Sequence, residues 1–494
     1  MAELVAGVDS STQSCKVVIV DAATGAIVRE GRASHPDGTS VNPSEWWRAL
    51  GEAITAAGGL DDVSALSVGG QQHGLVALDS EGRVVRDALL WNDTRSAQAA
   101  RDLTDELGAA AYAARTGLVP VASFTATKLR WLRDAEPENA ARVAAVALPH
   151  DWLSWRLRGY GPADDSPLGP DLDALATDRS DASGTAYYDP ARDAYDDELF
   201  ARAFGRPLRV AGAEGDADGV VVPRVVAHDE VMGAVDGAVE LPAGARVPAG
   251  LRIGAGAGDN AAAALGLGAG AGDVVISLGT SGTVFGVAPS VTSDESGTVA
   301  GFADATDQRL PIVTTLNAAR VLDATSALLG LDYEAFGEAA LTVGAGTGGL
   351  VFVPYLAGER TPNLPDATGT LTGLTSATMT PAHLARAAIE GMLCSLAAGV
   401  DAVVASGVTV ERLLLIGGAA QNAAVQAIAA QVFGRDVTVP TPGEYVALGA
   451  AAQAARLVTG SAAAWAGGDA VVVPGDAQPV IREQYDAAAG AYLV

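Results

Sequence analysis

An apolar stretch, a turn of small polar residues and a returning apolar stretch occur twice in this chain, over residues 4–20 and again over 273–287. Residues 4–8 and 16–20 read as buried strands joined by Asp9-Ser-Ser-Thr-Gln-Ser14. Residues 273–277 and 283–287 repeat the scheme around Leu278-Gly-Thr-Ser-Gly282. Two such hairpins, far apart in one chain, point to two related units facing each other. A third glycine turn, Gly417-Gly418, ends the apolar run 413–416 and leads into an apolar helix over 423–433. Strand, glycine turn and helix is an arrangement that brings backbone N–H groups toward a phosphate or nucleoside.

The intervening pattern is α/β. A strand at 26–28 completes a meander with the first hairpin, and Asn42-Pro-Ser-Glu45 is a helix start, with a capping residue, proline at the first helical position and an early glutamate. Residues 63–69 form another strand, ending in Gly70-Gln-Gln-His-Gly74. Residues 159–173, rich in Pro, Gly and Asp, read as an exposed loop. At 494 residues the chain exceeds the ~250–300 at which one core stops growing. The Pro/Gly run at 242–250 is the boundary expected from composition, giving domains over 1–246 and 247–494 with a cleft between them.

Charge narrows the function. A net charge of −28 repels nucleic acid and anionic lipid, so neither is expected as a partner. An anionic substrate then needs local rescue from a metal ion, backbone N–H groups and helix N-termini. The two cysteines, Cys15 and Cys394, sit in apolar stretches and fit a reducing, cytoplasmic setting. No signal peptide is expected from the first residues, and no membrane span from the most apolar region, which Asp259 and Asp273 interrupt.

Several common sites are absent. The only lysines, Lys16 and Lys128, follow Cys15 and Thr127, so there is no Gly-Lys of a P-loop, and no histidine is followed by glutamate as in H-E-x-x-H. Gly256-Ala-Gly-Asp-Asn-Ala261 fits a dinucleotide fingerprint in letters, but Asp259 would lie against the pyrophosphate, and like charges clash. Read alone, Asp259 is an aspartate capping the helix after it; equally, it is a carboxylate at the end of a strand, placed to take a proton from an alcohol. Asp9 in its turn is either an ordinary β-turn residue or a carboxylate that positions a metal beside phosphates. His73 is either a satisfied structural histidine or a ligand contact, and Trp91-Asn-Asp93-Thr-Arg95 either a core tryptophan with an ion pair or a set of hydroxyl-binding groups.

Together and in order, these segments resemble the FGGY carbohydrate kinases of the actin/Hsp70/sugar-kinase superfamily. The resemblance runs from Gly7-Val-Asp9 through Gln71-Gln-His-Gly74, Trp91-Asn-Asp93-Thr-Arg95, Ser180-Asp-Ala-Ser-Gly184, Gly258-Asp-Asn260 and Ser277-Leu-Gly-Thr-Ser-Gly282. It continues through Tyr355-Leu-Ala-Gly-Glu-Arg-Thr-Pro362, Glu390-Gly391, Leu415-Ile-Gly-Gly418 and Ala447-Leu-Gly-Ala-Ala451. It implies two ribonuclease H-like domains closing on ATP and a sugar or polyol, with Asp259 as general base and Asp9 positioning Mg²⁺, both facing the metal. It further implies that Ser11, Thr12, Gln13 and Thr280 face the phosphates, that Gly417 and Gly418 lie against the nucleoside, and that Asn422 touches adenine. Gln72, His73, Asp93 and Asn260 are the implied sugar contacts. The implied reaction is transfer of the γ-phosphoryl group to a primary hydroxyl, at O5 for D-xylulose, by a protein that is often a homodimer in this family.

Three positions depart from the pattern. Ser11 replaces a glycine, Gln72 replaces the methionine of Gln-Met-His-Gly, and Gly417-Gly-Ala-Ala-Gln-Asn422 is poorer in glycine than usual. Pentitol, ribulose, gluconate and glycerol therefore stay open as acceptors, and so does an ATP-driven clamp without a sugar site.

Overall fold

The computed structural model describes residues 3–213, 218–463, 465 and 468–492. The first sheet holds seven strands: β1 (Leu4–Ser10), β2 (Ser14–Asp21), β3 (Ile27–Ser34), β4 (Val63–Gly70), β5 (Val231–Ala234), β6 (Arg252–Gly254) and β7 (Ala257–Gly258). Their order is β5-β6-β4-β1-β2-β3, and β7 also pairs with β4. The second sheet also has seven: β8 (Asp273–Leu278), β9 (Gly282–Gly286), β10 (Ala300–Ala303), β11 (Arg309–Thr315), β12 (Arg412–Ile416), β13 (Val437–Pro440) and β14 (Ala470–Val473). It is ordered β10-β11-β9-β8-β12-β13-β14.

The repeat seen in the sequence is a repeat of topology. β1 runs antiparallel to β2 and parallel to β4, and β8 runs antiparallel to β9 and parallel to β12. Both central strands are buried along nearly their whole length, because helices cover both faces. This is the two-unit, ribonuclease H-like α/β arrangement that the resemblance implied.

Helix α1 (Pro43–Ala56) starts as its sequence predicts, with the Asn42 side chain accepting from the Ser44 N–H, and buries Trp46, Trp47, Leu50 and Ile54. Helix α2 is Asp259–Gly266, α3 is Pro381–Ala405, α4 is Ala423–Phe433 and α5 is Tyr445–Thr459. Among the described residues only α3 is long and apolar enough to cross a membrane, and most of it is buried in the second core.

α5 braces the first sheet although in sequence it lies between β13 and β14 of the second. Its Ala447, Ala451 and Ala454 pack with Val5, Val18 and Ala65, and a Cβ on Gly449 would run into the Ala262 carbonyl of α2. Small residues let the two helices touch through backbone, which fixes α2 and the Asp259 at its start. Phe124, Ala262, Val275, Phe285 and Phe302 belong to one core cluster, so the two sheets share packed interior rather than a hinge alone.

The expected break at 246/247 falls inside a hairpin of Val239–Glu240 with Arg246–Val247. Beyond it, Ile253 pairs with Leu66 and Gly258 with Gly70, so the first sheet continues to Gly258. Proline and glycine at 242–250 mark an edge turn, not a linker.

Candidate active site at the ends of parallel strands

Strand register assembles the first part of the site. Opposite Gly69 and Gly70 of β4 lie Asp9 and Ser10 on one side and Ala257 and Gly258 on the other, all in parallel strands. Asp9-Ser10-Ser11, Gln71-Gln72-His73 and Asp259-Asn260 therefore leave the sheet at one level, at its carboxyl edge, where open α/β sheets bind ligands. With strands about 4.8 Å apart, Asp9 and Asp259 are separated by roughly 10 Å of backbone.

Asp259 is not the helix cap. The cap position belongs to Gly258, and Asp259 is the first residue of α2, half-buried, its Oδ1 accepting only from the N–H and Nδ2 of Asn260, each at 2.8 Å. Beyond the adjacent Asn260 N–H, the carboxylate serves no other N–H group of α2 among the described residues. Burial and then the charge of Asp9 raise its pKa from 3.8 to about 7, so it titrates where a base must.

Asp9 is buried and held by two side chains. Ser11 Oγ donates to it, Lys16 Nζ lies 3.7 Å away, and Lys16 also pairs with Glu444 just ahead of α5. Burial raises its pKa in spite of Ser11 and Lys16. The rest of the turn is tethered as well: Trp91 Nε1 donates to Thr12 Oγ1 at 2.8 Å, and His35 Nδ1 lies 2.8 Å from the Ser11 carbonyl. Gln13 is exposed.

Gln72 is buried, its Nε2 donating to the Ser180 carbonyl at 3.2 Å. His73 has φ of 69°, a left-handed conformation that a residue with a side chain adopts at some cost, and its buried Nδ1 has no partner among the described residues. Its ring packs between Phe124 and Phe302, with centroids 5.1 and 5.5 Å away. Burial, reinforced by Lys128 and Arg360, holds its pKa well below 6.5, so the ring is neutral. Asp93 is engaged elsewhere: Oδ2 accepts from Thr39 and Oδ1 from the Arg95 N–H and Nε, so it fastens a corner of the site. Burial opposes ionisation there, and these hydrogen bonds overcome it, holding its pKa below 3.8.

The second sheet gathers the other group. β8 and β12 are parallel, with Ser277 opposite Ile416, so the turn Gly279-Thr280-Ser281 and the pair Gly417-Gly418 emerge side by side. Thr280, Gly417 and Gly418 are exposed, and a Cβ on Gly417, whose φ is 99°, would strike Leu278 backbone. Asn422 is committed to the fold, since its Oδ1 caps α4 through the Ala424 and Val425 N–H groups and its Nδ2 donates to the Tyr333 carbonyl.

Four further residues matter that were not among the expected site residues: Gln71 and Ser180, which lie within quoted motifs, and Lys128 and His150, which no motif marked. Gln71 is fully buried with neither amide atom partnered among the described residues, at the same strand end as Gln72. Lys128 is buried with Nζ donating to the carbonyls of Ala122 and Ser123, and burial lowers its pKa to about 7. Ser180 and His150 hold the backbone ahead of Asp259. The scarcity of lysine, with Lys128 one of only two in the chain, was a usable signal for it.

The profile of the FGGY family of carbohydrate kinases matches this chain twice, its N-terminal domain over residues 4–266 and its C-terminal domain over 274–458. A xylulose kinase of Streptomyces coelicolor is 47% identical, covering 93% of this chain and 89% of that protein. A xylulose kinase of Escherichia coli is 34% identical over 91% and 88% of the two chains. The crystal structure of xylulose kinase from Bifidobacterium adolescentis superposes with a TM-score of 0.86 at 46% identity, covering 99% of this chain and 100% of that one.

Proposed function

Because the chain belongs to the FGGY family of carbohydrate kinases and is a phosphotransferase acting on an alcohol group, we propose that it transfers the γ-phosphoryl group of ATP to O5 of D-xylulose, with Asp259 as the general base. The observation that carries the base assignment is the Asp259 carboxyl itself, bonded only to the adjacent Asn260 among the described residues and raised to about 7 at the carboxyl edge of the first sheet. The substrate assignment rests on the xylulose kinases that align over nearly the whole chain.

In this reading Asp259 accepts the proton of the attacking hydroxyl as the O5–P bond forms and the bond from phosphorus to the β–γ bridging oxygen breaks, leaving ADP and xylulose 5-phosphate. Gln72, neutral His73 and Asn260 bind the sugar hydroxyls, and Asp93 keeps Arg95 and the Trp91 loop in place behind them. Ser11, Thr12, Gln13 and Thr280 face the phosphates, and Gly417 and Gly418 lie against the nucleoside; Asn422 shapes that wall by capping α4. Two neighbouring carboxylates with a single lysine nearby are a donor set suited to a hard cation, so Asp9 and Asp259 would hold Mg²⁺, which supplies charge neutralisation to the phosphates. Both cysteines are buried and free, consistent with a cytoplasmic enzyme, which the same reading takes as a homodimer.

ADP release measured across D-xylulose, ribulose, xylitol, gluconate and glycerol tests the proposal. The highest kcat/KM is expected with D-xylulose. A preference for another acceptor overturns the substrate, and ATP consumption that no sugar stimulates overturns the kinase reading.

A further inference from the structure

The segment Ser180-Asp-Ala-Ser-Gly184 has no part in the reaction described above, yet it lies fully buried directly beneath Asp259. The Gly258 N–H, one residue ahead of Asp259, donates to Ser180 Oγ at 2.9 Å. Ser180 Oγ itself donates to Asp178 Oδ2 at 2.6 Å, and Asp178 caps the short helix Arg179–Ser183 through the Ser180 and Asp181 N–H groups. With its hydrogen committed to Asp178, the Ser180 hydroxyl presents a lone pair to Gly258.

A second hydrogen bond holds the other end of the same segment. His150 Nε2 lies 2.8 Å from the Ala255 carbonyl, while Nδ1 lies 3.0 Å from both Asp181 Oδ2 and Asp151 Oδ1. The carbonyl accepts, so Nε2 carries the hydrogen, and the carboxylates fix the ring. His150, Asp151, Asp178, Ser180 and Asp181 are all buried. Between the two anchors the chain makes a bend that leaves little room: Gly256 has φ of 73°, and a Cβ there would come within 2.5 Å of the imidazole and of the Val68 carbonyl.

We infer that Ser180 and His150 are positioning residues for Asp259, clamping the backbone of residues 255–258 from below so that the carboxylate is delivered at one place and orientation. This rests on the reading of Asp259 as the base. Neither residue touches the reacting atoms. They act through two backbone groups, Ala255 C=O and Gly258 N–H, and the buried carboxylates Asp151, Asp178 and Asp181 keep both anchors from rotating away. A displacement of about 1 Å at a catalytic group costs up to roughly 100-fold in rate, so loss of one anchor should register in kcat rather than in sugar or ATP binding.

The test is a double-mutant cycle on the full chain, with D-xylulose and ATP, reading transfer of labelled γ-phosphate by single turnover. Ser180→Ala is expected to lower kcat about 10–100-fold with both KM values within about twofold, and Ser180→Thr to recover most of the loss. In an Asp259→Asn background, Ser180→Ala should change the residual rate by less than about twofold, because the group it positions is gone. A loss of the same size in both backgrounds, or no loss in either, overturns the inference while leaving the base assignment standing. Activity retained in Asp259→Asn alone overturns the base assignment instead. If Ser180→Ala does not fold, His150→Gln run through the same cycle carries the decision, with the same expected and contradicting results.

Discussion

The two hairpin turns share a topology and differ in how they are held. The first, between β1 and β2, is fastened side chain by side chain: Ser11 to Asp9, Trp91 to Thr12, His35 to the Ser11 carbonyl, Lys16 to Asp9 and Glu444. The second, between β8 and β9, leaves Gly279 and Thr280 exposed, tied mainly through backbone carbonyls that accept from Ala318 and Ala319. The same strand, turn and strand thus gives a preorganised turn where a carboxylate must be aimed and an open one where donors await a ligand. A charge placed in a buried site needs rigid support, because its field is worth most when it does not have to reorganise. A hydroxyl and backbone N–H groups facing solvent can settle on phosphate as it arrives.

If that contrast is right, substitutions in the two halves should fail differently. The largest effect belongs to the carboxylates at the first sheet. Asp259→Asn should lower kcat by about 1,000-fold with the chain still folded, in steady-state assays with D-xylulose. Asp9→Asn should cost about 100-fold and raise the Mg²⁺ concentration needed for half-maximal rate, seen by magnesium titration. Thr280→Ala, on the open turn, should raise the KM for ATP by about 3- to 10-fold with little change in thermal midpoint. Trp91→Phe should release Thr12 and raise the same KM by about 2- to 3-fold; an effect larger than that of Thr280→Ala would break the comparison.

Stability sharpens it from another side. Asp259 has a folded-state pKa of about 7 against 3.8 for the unfolded chain, so between those values the folded protein holds a proton the unfolded one has lost. Its favourable contribution is therefore present below about pH 4 and lost as pH rises through 7. Asp259→Asn, which cannot ionise, should melt above the wild type at pH 8, with the difference shrinking toward pH 5, by calorimetry at both values.

Much of this was legible because apolar runs bounded by turn residues are local signals. The hairpins, the Asn42 cap and the helix at 423–433 stand where the sequence placed them, within a residue or two. Asn422 could have been read further, since an asparagine ahead of an apolar run is a cap signal in its own right, and the structure uses it as one. The Pro/Gly run at 242–250 misled because an edge hairpin and a linker have the same composition. The Ser180 and His150 anchors were beyond reach: they join positions 78 and 105 residues apart, and no spacing rule connects a serine on one helix to a backbone N–H on a distant strand.

The most direct measurement is kcat/KM for D-xylulose against pH from 5 to 9 at saturating ATP and Mg²⁺. A rate that climbs tenfold per pH unit on the acid side and levels off at or below about pH 7, because bound Mg²⁺ favours the ionised carboxyl, is the result expected for Asp259 acting as the base. A profile flat across pH 5 to 8 contradicts it.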